Sequence, residues 1–185
     1  MVNQTEVEYK KVIAECKKIF MAKTSDYGTA WRILRLPSIT DQIYIKAQRI
    51  RSIQEKGQQK INEDINSEFV GIVNYCIIAQ MQLNLIEKPY KELTTDEVSK
   101  LYDIYVNNTY TLLTAKNHDY GEAWREMRVS SITDIILMKL MRIKQIEDND
   151  GKTIVSEGVE ANYQDIMNYA VFALIKSEFI HSTKT

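Results

Sequence analysis

The sequence predicts an all-α protein: a tandem-repeat helical bundle of two similar four-helix units related by an approximate two-fold. Three observations predict it. The 185 residues hold only 6 Gly and 2 Pro, where average usage gives roughly 22. A sandwich or an α/β fold needs turn residues far more often than that. Apolar residues also recur at helical spacing, as at Val12, Ile13, Cys16, Ile19 and Phe20. Finally, the chain repeats itself. Residues 22–53 align with 115–146, Asp26 meeting Asp119 and Arg49 meeting Arg142, with 18 of 32 positions identical. Chance gives roughly two.

The repeat divides the chain into residues 1–88 and 89–185, packed as one globular unit, with EKPYKELT at 87–94 as the linker. The first segment of the first unit is expected over Glu6–Ala22. Its partner starts after Thr94, which with Glu97 forms a capping box. Short pieces follow the Asp-Tyr-Gly turns, at Ala30–Arg35 and Ala123–Arg128. The third segments are expected to start at Ser38 and Ser131, as caps, and to end near Gly57 and Gly151. The fourth are expected over Ile61–Ile86 and Ser156–Phe179. One such unit is a marginal core at this size, so the two are expected to pack as a pseudo-dimer.

Charge and cysteine usage narrow the function classes. Net charge is −1, from 24 basic and 25 acidic side chains. Holding duplex DNA by its phosphates calls for a strong basic excess, so nucleic acid is a disfavoured partner. Cys16 and Cys76 are not in CxxC spacing and read as small buried hydrophobes. The polar start lacks the apolar stretch of a signal peptide. The most apolar run, 69–86, is interrupted by Asn74, Gln80, Gln82 and Asn84, which argues against a membrane span. A cytoplasmic setting is the expectation.

Three constellations carry candidate chemistry. The first is the doubled Asp-Tyr-Gly-x-Ala-Trp-Arg-x-x-Arg block, at Asp26–Arg35 and Asp119–Arg128. Structurally, Asp26 and Asp119 would cap helices, the glycines would turn, and Tyr27, Trp31, Tyr120 and Trp124 would fill the seam. Functionally, the aromatics would stack on a base, with Arg35 and Arg128 toward phosphate. The second is Lys46 with Arg49, repeated as Lys139 with Arg142. Three-residue spacing puts each pair on one helix face, where it needs either an intrachain carboxylate or a bound phosphate. The third is acidic. At about 100° per residue, Glu157 and Glu160 share a face of the last helix, with Asp165 on its edge. Three carboxylates there would suit Mg²⁺, which takes oxygen ligands and keeps phosphates in its shell. The first unit departs from this, with Asn66 and Gly71 in place of Glu160 and Asp165. Gly151-Lys152-Thr153 lacks the first glycine of a P-loop, and His118-Asp119 has Ser25 in place of His118 in the other copy, so neither motif stands.

The doubled Lys-x-x-Asp-Tyr-Gly-x-Ala-Trp-Arg block, the Ser-Ile-Thr-Asp…Lys-x-x-Arg helix and Asp165-x-x-Asn168-Tyr169 resemble the nucleotide modification associated domain 1 family. The resemblance implies an all-α domain linked to phage and bacterial nucleotide or DNA-base modification. The pattern is also distantly similar to the all-α nucleoside-triphosphate pyrophosphohydrolases of the MazG and dimeric dUTPase kind. Their signature puts Glu-Glu-x-x-Glu on one helix and Glu-x-x-Asp on the next. Here Glu157-x-x-Glu160 and Asp165-x-x-Asn168 share one helix.

Two readings follow. In one, the protein binds a nucleotide or modified nucleotide, and Mg²⁺ held by Glu157, Glu160 and Asp165 could activate a water for pyrophosphate hydrolysis. In the other, it is a non-enzymatic interaction module in which the same residues form a salt-bridged core. Membranes are not an expected partner in either.

Overall fold

A computed structural model describes residues 3–57, 64–177 and 179. Those residues form six α-helices, two 3₁₀ turns and no strand. The first unit holds α1 (Gln4–Tyr27), a 3₁₀ turn at Ala30–Ile33, α2 (Leu36–Lys56) and α3 (Ile65–Leu85). The second repeats the order with α4 (Thr95–Tyr120), a 3₁₀ turn at Ala123–Glu126, α5 (Val129–Asp148) and α6 (Val159–Lys176). The expected short second helix of each unit is thus a single 3₁₀ turn.

Local chemistry sets most boundaries. Asn3 caps α1 by accepting from the Thr5 amide, and Asp64 caps α3 by accepting from Ser67. Thr94 and Glu97 form the full capping box of α4. Gly28 and Gly121, at φ 65° and 62°, end α1 and α4 in backbone that L side chains rarely adopt.

Several boundaries differ from expectation. Helix α1 runs on to Tyr27, so Asp26 lies in its last turn rather than at a cap, and Asp119 does the same in α4. Ser38 and Ser131 are not caps either. Helix α2 starts at Leu36 after Arg35, and α5 at Val129 after Arg128, neither with a side-chain cap. Pro37 suits the first turn of α2, where its missing N–H is one the helix would leave unpaired, but α5 starts at the matching residue with Ser130 in its place, so proline does not set the start. Helix α6 starts at Val159, behind extended Gly158, so Glu157 falls outside it. The expected start of the fourth segment near Ile61 lies outside the described residues.

Helices α3 and α6 form the centre and make the most extensive contact in the fold. Both are buried around most of their circumference, Ile72, Val73, Cys76 and Ile77 on α3 and Ile166, Met167, Ala170 and Val171 on α6. Helices α2 and α5 pack on them and on each other, and α1 and α4 close the bundle. The hydrogen bonds are reciprocal, as an isologous interface requires. Tyr9 donates to Asn168 and Tyr102 to Asn74, while Asn168 donates to the Thr109 carbonyl and Asn74 to that of Cys16. Lys144 pairs with Asp41, and Arg51 with Asp134. Cys16 and Cys76 are buried free thiols, and burial pushes both thiol pKa values up. No described helix is long and apolar enough to cross a membrane.

Candidate functional site

The 3₁₀ turn that carries Trp31 is held by α3. Gln82 donates to the carbonyls of Arg32 and Leu34, at 2.9 Å each. The buried Arg32 guanidinium returns bonds to the Gln82 side chain and to the Leu85 carbonyl. Behind this turn lies a cleft of about 490 Å³, walled by the end of α1, the Gly28–Leu34 turn, Lys46 of α2 and one face of α3. That volume is in the range of small-molecule sites.

Three expected residues converge there. Tyr27 is 60% exposed at the rim, Trp31 is half-buried, and Lys46 reaches in from α2. Lys46 Nζ lies 5.9 Å from the Tyr75 ring centroid and 3.4 Å from Glu68 Oε2. Arg49 also pairs with Glu68. Burial raises the Tyr75 phenol pKa, and nearby Tyr27 adds to the shift. Lys23 lines the same cleft and has no ion pair among the described residues. Gly71 forms the floor beside Lys46. A Cβ there would stand 2.8 Å from Lys46 Cε, so the missing side chain is the space that the lysine uses.

The second repeat has closed the corresponding space. Lys116 and Lys139, the counterparts of Lys23 and Lys46, both donate to Asp165, which stands where the first repeat has Gly71. Trp124, the counterpart of Trp31, is buried and stacks on Phe172 with centroids 4.2 Å apart and planes 3° from parallel. Phe172 stands where the first repeat has Ile78. Arg125 also lies over this ring, 4.4 Å from the Trp124 centroid. The roles of the acids are exchanged: Glu68 serves the basic pair in the first repeat, and Asn162 replaces it in the second.

The other expected residues lie elsewhere. Asp26, Arg35, Asp119 and Arg128 are exposed and line neither cleft. Asp119 pairs with His118 at 3.1 Å, and Tyr120 is 78% exposed. A wider cleft of about 1020 Å³ along α5 gathers Lys139, Arg142 and Glu157 beneath the 149–158 loop. Arg142 is exposed there and touches Met138 Sδ at 3.8 Å. The three carboxylates expected to hold Mg²⁺ do not converge. Glu157 precedes α6, Glu160 is exposed, and Asp165 is buried between two lysines. No group of three metal-ligating side chains occurs among the described residues. The donor set therefore does not fit a Mg²⁺ centre.

Lys23, Gly71 and Tyr75 are not among the candidate site residues that the sequence suggests. A signal was there: the repeats keep the lysine pair and exchange glycine for aspartate beside it.

The geometry defines an internally doubled all-helical protein with one open and one closed copy of the same cleft. The chain belongs to the nucleotide modification associated domain 1 family, whose model matches residues 23–83 and 116–176. Both clefts' lysine, Trp and α3 or α6 positions fall within those matches. No curated protein and no solved structure matches this chain.

Proposed function

We propose that the protein binds a nucleotide or modified nucleotide in the cleft of its first repeat. One observation carries this reading: an open cleft where Tyr27, Trp31 and Tyr75 meet Lys23 and Lys46. Aromatic rings offer stacking to any base, worth about 1–3 kcal/mol per base. The ammonium groups supply the charge that a phosphate needs. The family's association with nucleotide modification fits the same ligand class. The carboxylates Glu157, Glu160 and Asp165 do not gather around a metal position, so they lend no support to hydrolysis of the MazG kind.

Thermal unfolding with a panel of canonical and modified nucleotides, with and without Mg²⁺, tests this. A ligand at a hundred times its Kd adds about 2.7 kcal/mol of stability. No shift with any member at millimolar concentration overturns the reading. The Lys116–Asp165–Lys139 cluster favours a second reading for the other repeat, a salt-bridged scaffold without ligand.

A further inference from the structure

We propose that the second repeat carries its own substitute for the ligand, so that the protein has one site per chain. The ligand's anionic group then sits between Lys23 and Lys46 over Gly71. This rests on the nucleotide reading and says where the ligand's two ends lie.

The argument is a comparison of two copies of one cleft. Both keep the tryptophan and both lysines at matching positions. In the second copy, a carboxylate joins the lysines: Lys139 Nζ lies 2.7 Å from Asp165 Oδ2, and Lys116 binds Oδ1. In the same copy, an aromatic ring lies flat on the tryptophan. An anion and a flat ring are the two recognition elements of a nucleotide. They come from one helix, at Asp165 and Phe172, two turns apart.

The first copy lacks the ring and, among the described residues, has no carboxylate that joins its two lysines. Gly71 and Ile78 replace Asp165 and Phe172, and both line the open cleft. The lysines remain, Lys46 with Glu68 at 3.4 Å and Lys23 with no ion pair among the described residues. A ligand anion would restore there what Asp165 supplies in the other copy, and a base on Trp31 what Phe172 supplies. Lys23 is thereby a binding residue, and Gly71 is the position that keeps the cleft open.

Two variants of the full chain test this by calorimetry, with nucleoside 5′-mono-, di- and triphosphates and with pyrophosphate as probes. Gly71→Asp copies the closed repeat into the open one. The atoms nearest to its Cβ belong to the flexible end of Lys46, which can move, so the variant is expected to fold. Wild type is expected to bind one equivalent and Gly71→Asp none, without a fall in melting temperature. The double variant Asp165→Gly with Phe172→Ile is expected to bind two. Unchanged nucleotide binding in Gly71→Asp overturns the proposal, as does a folded double variant that still binds one. If the double variant does not fold, Gly71→Asp decides alone. If pyrophosphate binds wild type and is lost in Gly71→Asp while no nucleotide binds, the anion seat stands and the nucleotide reading falls. If no probe binds wild type, both fall.

Discussion

Tyr9 of α1 donates its hydroxyl to Asn168 of α6 across 3.0 Å, tying the first repeat to the second in the buried core. Tyr102 makes the matching bond to Asn74, at 2.8 Å. Burial raises both phenol pKa values, so the hydroxyls remain donors throughout the usable pH range. Tyr9→Phe leaves Asn168 Oδ1 without its donor at a site closed to water. The expected loss is about 1–3 kcal/mol, read from the urea midpoint at unchanged slope. A variant as stable as wild type would show that this bond does not hold the repeats together.

The sequence puts Lys139 in a basic pair on one helix and Glu160 on the acidic face of the next, as joint parts of a ligand site or of a salt-bridged core, and the structure separates their roles. The Lys139 and Asp165 side chains are 11% and 10% exposed and paired at 2.7 Å, whereas Glu160 lies in solvent. Removing one partner of a buried pair leaves an uncompensated charge. Lys116 still faces Asp165, which moderates the cost. Lys139→Ala is expected to lose about 2–3 kcal/mol, and Glu160→Ala to stay within about 0.5 kcal/mol of wild type. Equal effects in denaturant unfolding would contradict this separation.

The helical class, the doubling and the pseudo-dimeric packing were legible because they rest on periodicity and on identity between the copies. Element starts were less legible. Ser38 and Ser131 have capping side chains, yet both helices start two residues ahead of them, at Leu36 and Val129. The acidic face failed for a related reason. It assumed a helix from Ser156, and the helix begins only at Val159, after an extended Gly158. The open cleft was hardest to foresee. It depends on Gly71 of α3 lying beside Lys46 of α2, a contact that emerges only when the helices pack. The sequence also directed attention to the second repeat, whose carboxylates are more numerous. The open cleft with the aromatics lies in the first.

The two-fold also exposes one mismatched pair. Gln54 donates to Thr133, whereas the equivalent contact on the other side joins Thr40 to Glu147 at 2.7 Å. Burial raises the Glu147 carboxyl pKa, against the opposing effect of bonds from Thr40 and Tyr163. A raised acid pKa means that the folded state holds its proton more tightly than the unfolded chain. Ionised Glu147 therefore costs stability above the folded pKa, and that cost disappears as pH falls below the ordinary value of 4.5. Glu147→Gln copies the Gln54 arrangement and does not titrate. It is expected to be more stable than wild type at pH 7 to 8, with the gap closing on acidification. Thermal melts of both proteins at stepped pH read this, and a gap that widens toward acid would reverse the assigned sign.

The two tryptophans provide the sharpest separation of stability from binding. Trp124 is 5% exposed and packed against Phe172 and Arg125, so its ring is part of the core. Trp124→Ala is expected to cost about 3–5 kcal/mol and to leave the first cleft's lining in place. Trp31 is half-buried against the open cleft and has no stacking partner among the described residues. Trp31→Ala removes less buried contact, so it is expected to cost roughly half as much. Its ligand response, however, should vanish, because the stacking surface for the base is gone. The pair is read by nucleotide-induced shifts in melting temperature, each variant against its own unliganded baseline. A shift retained by Trp31→Ala and lost by Trp124→Ala would place the binding surface in the second repeat, contrary to the open and closed geometry of the two clefts.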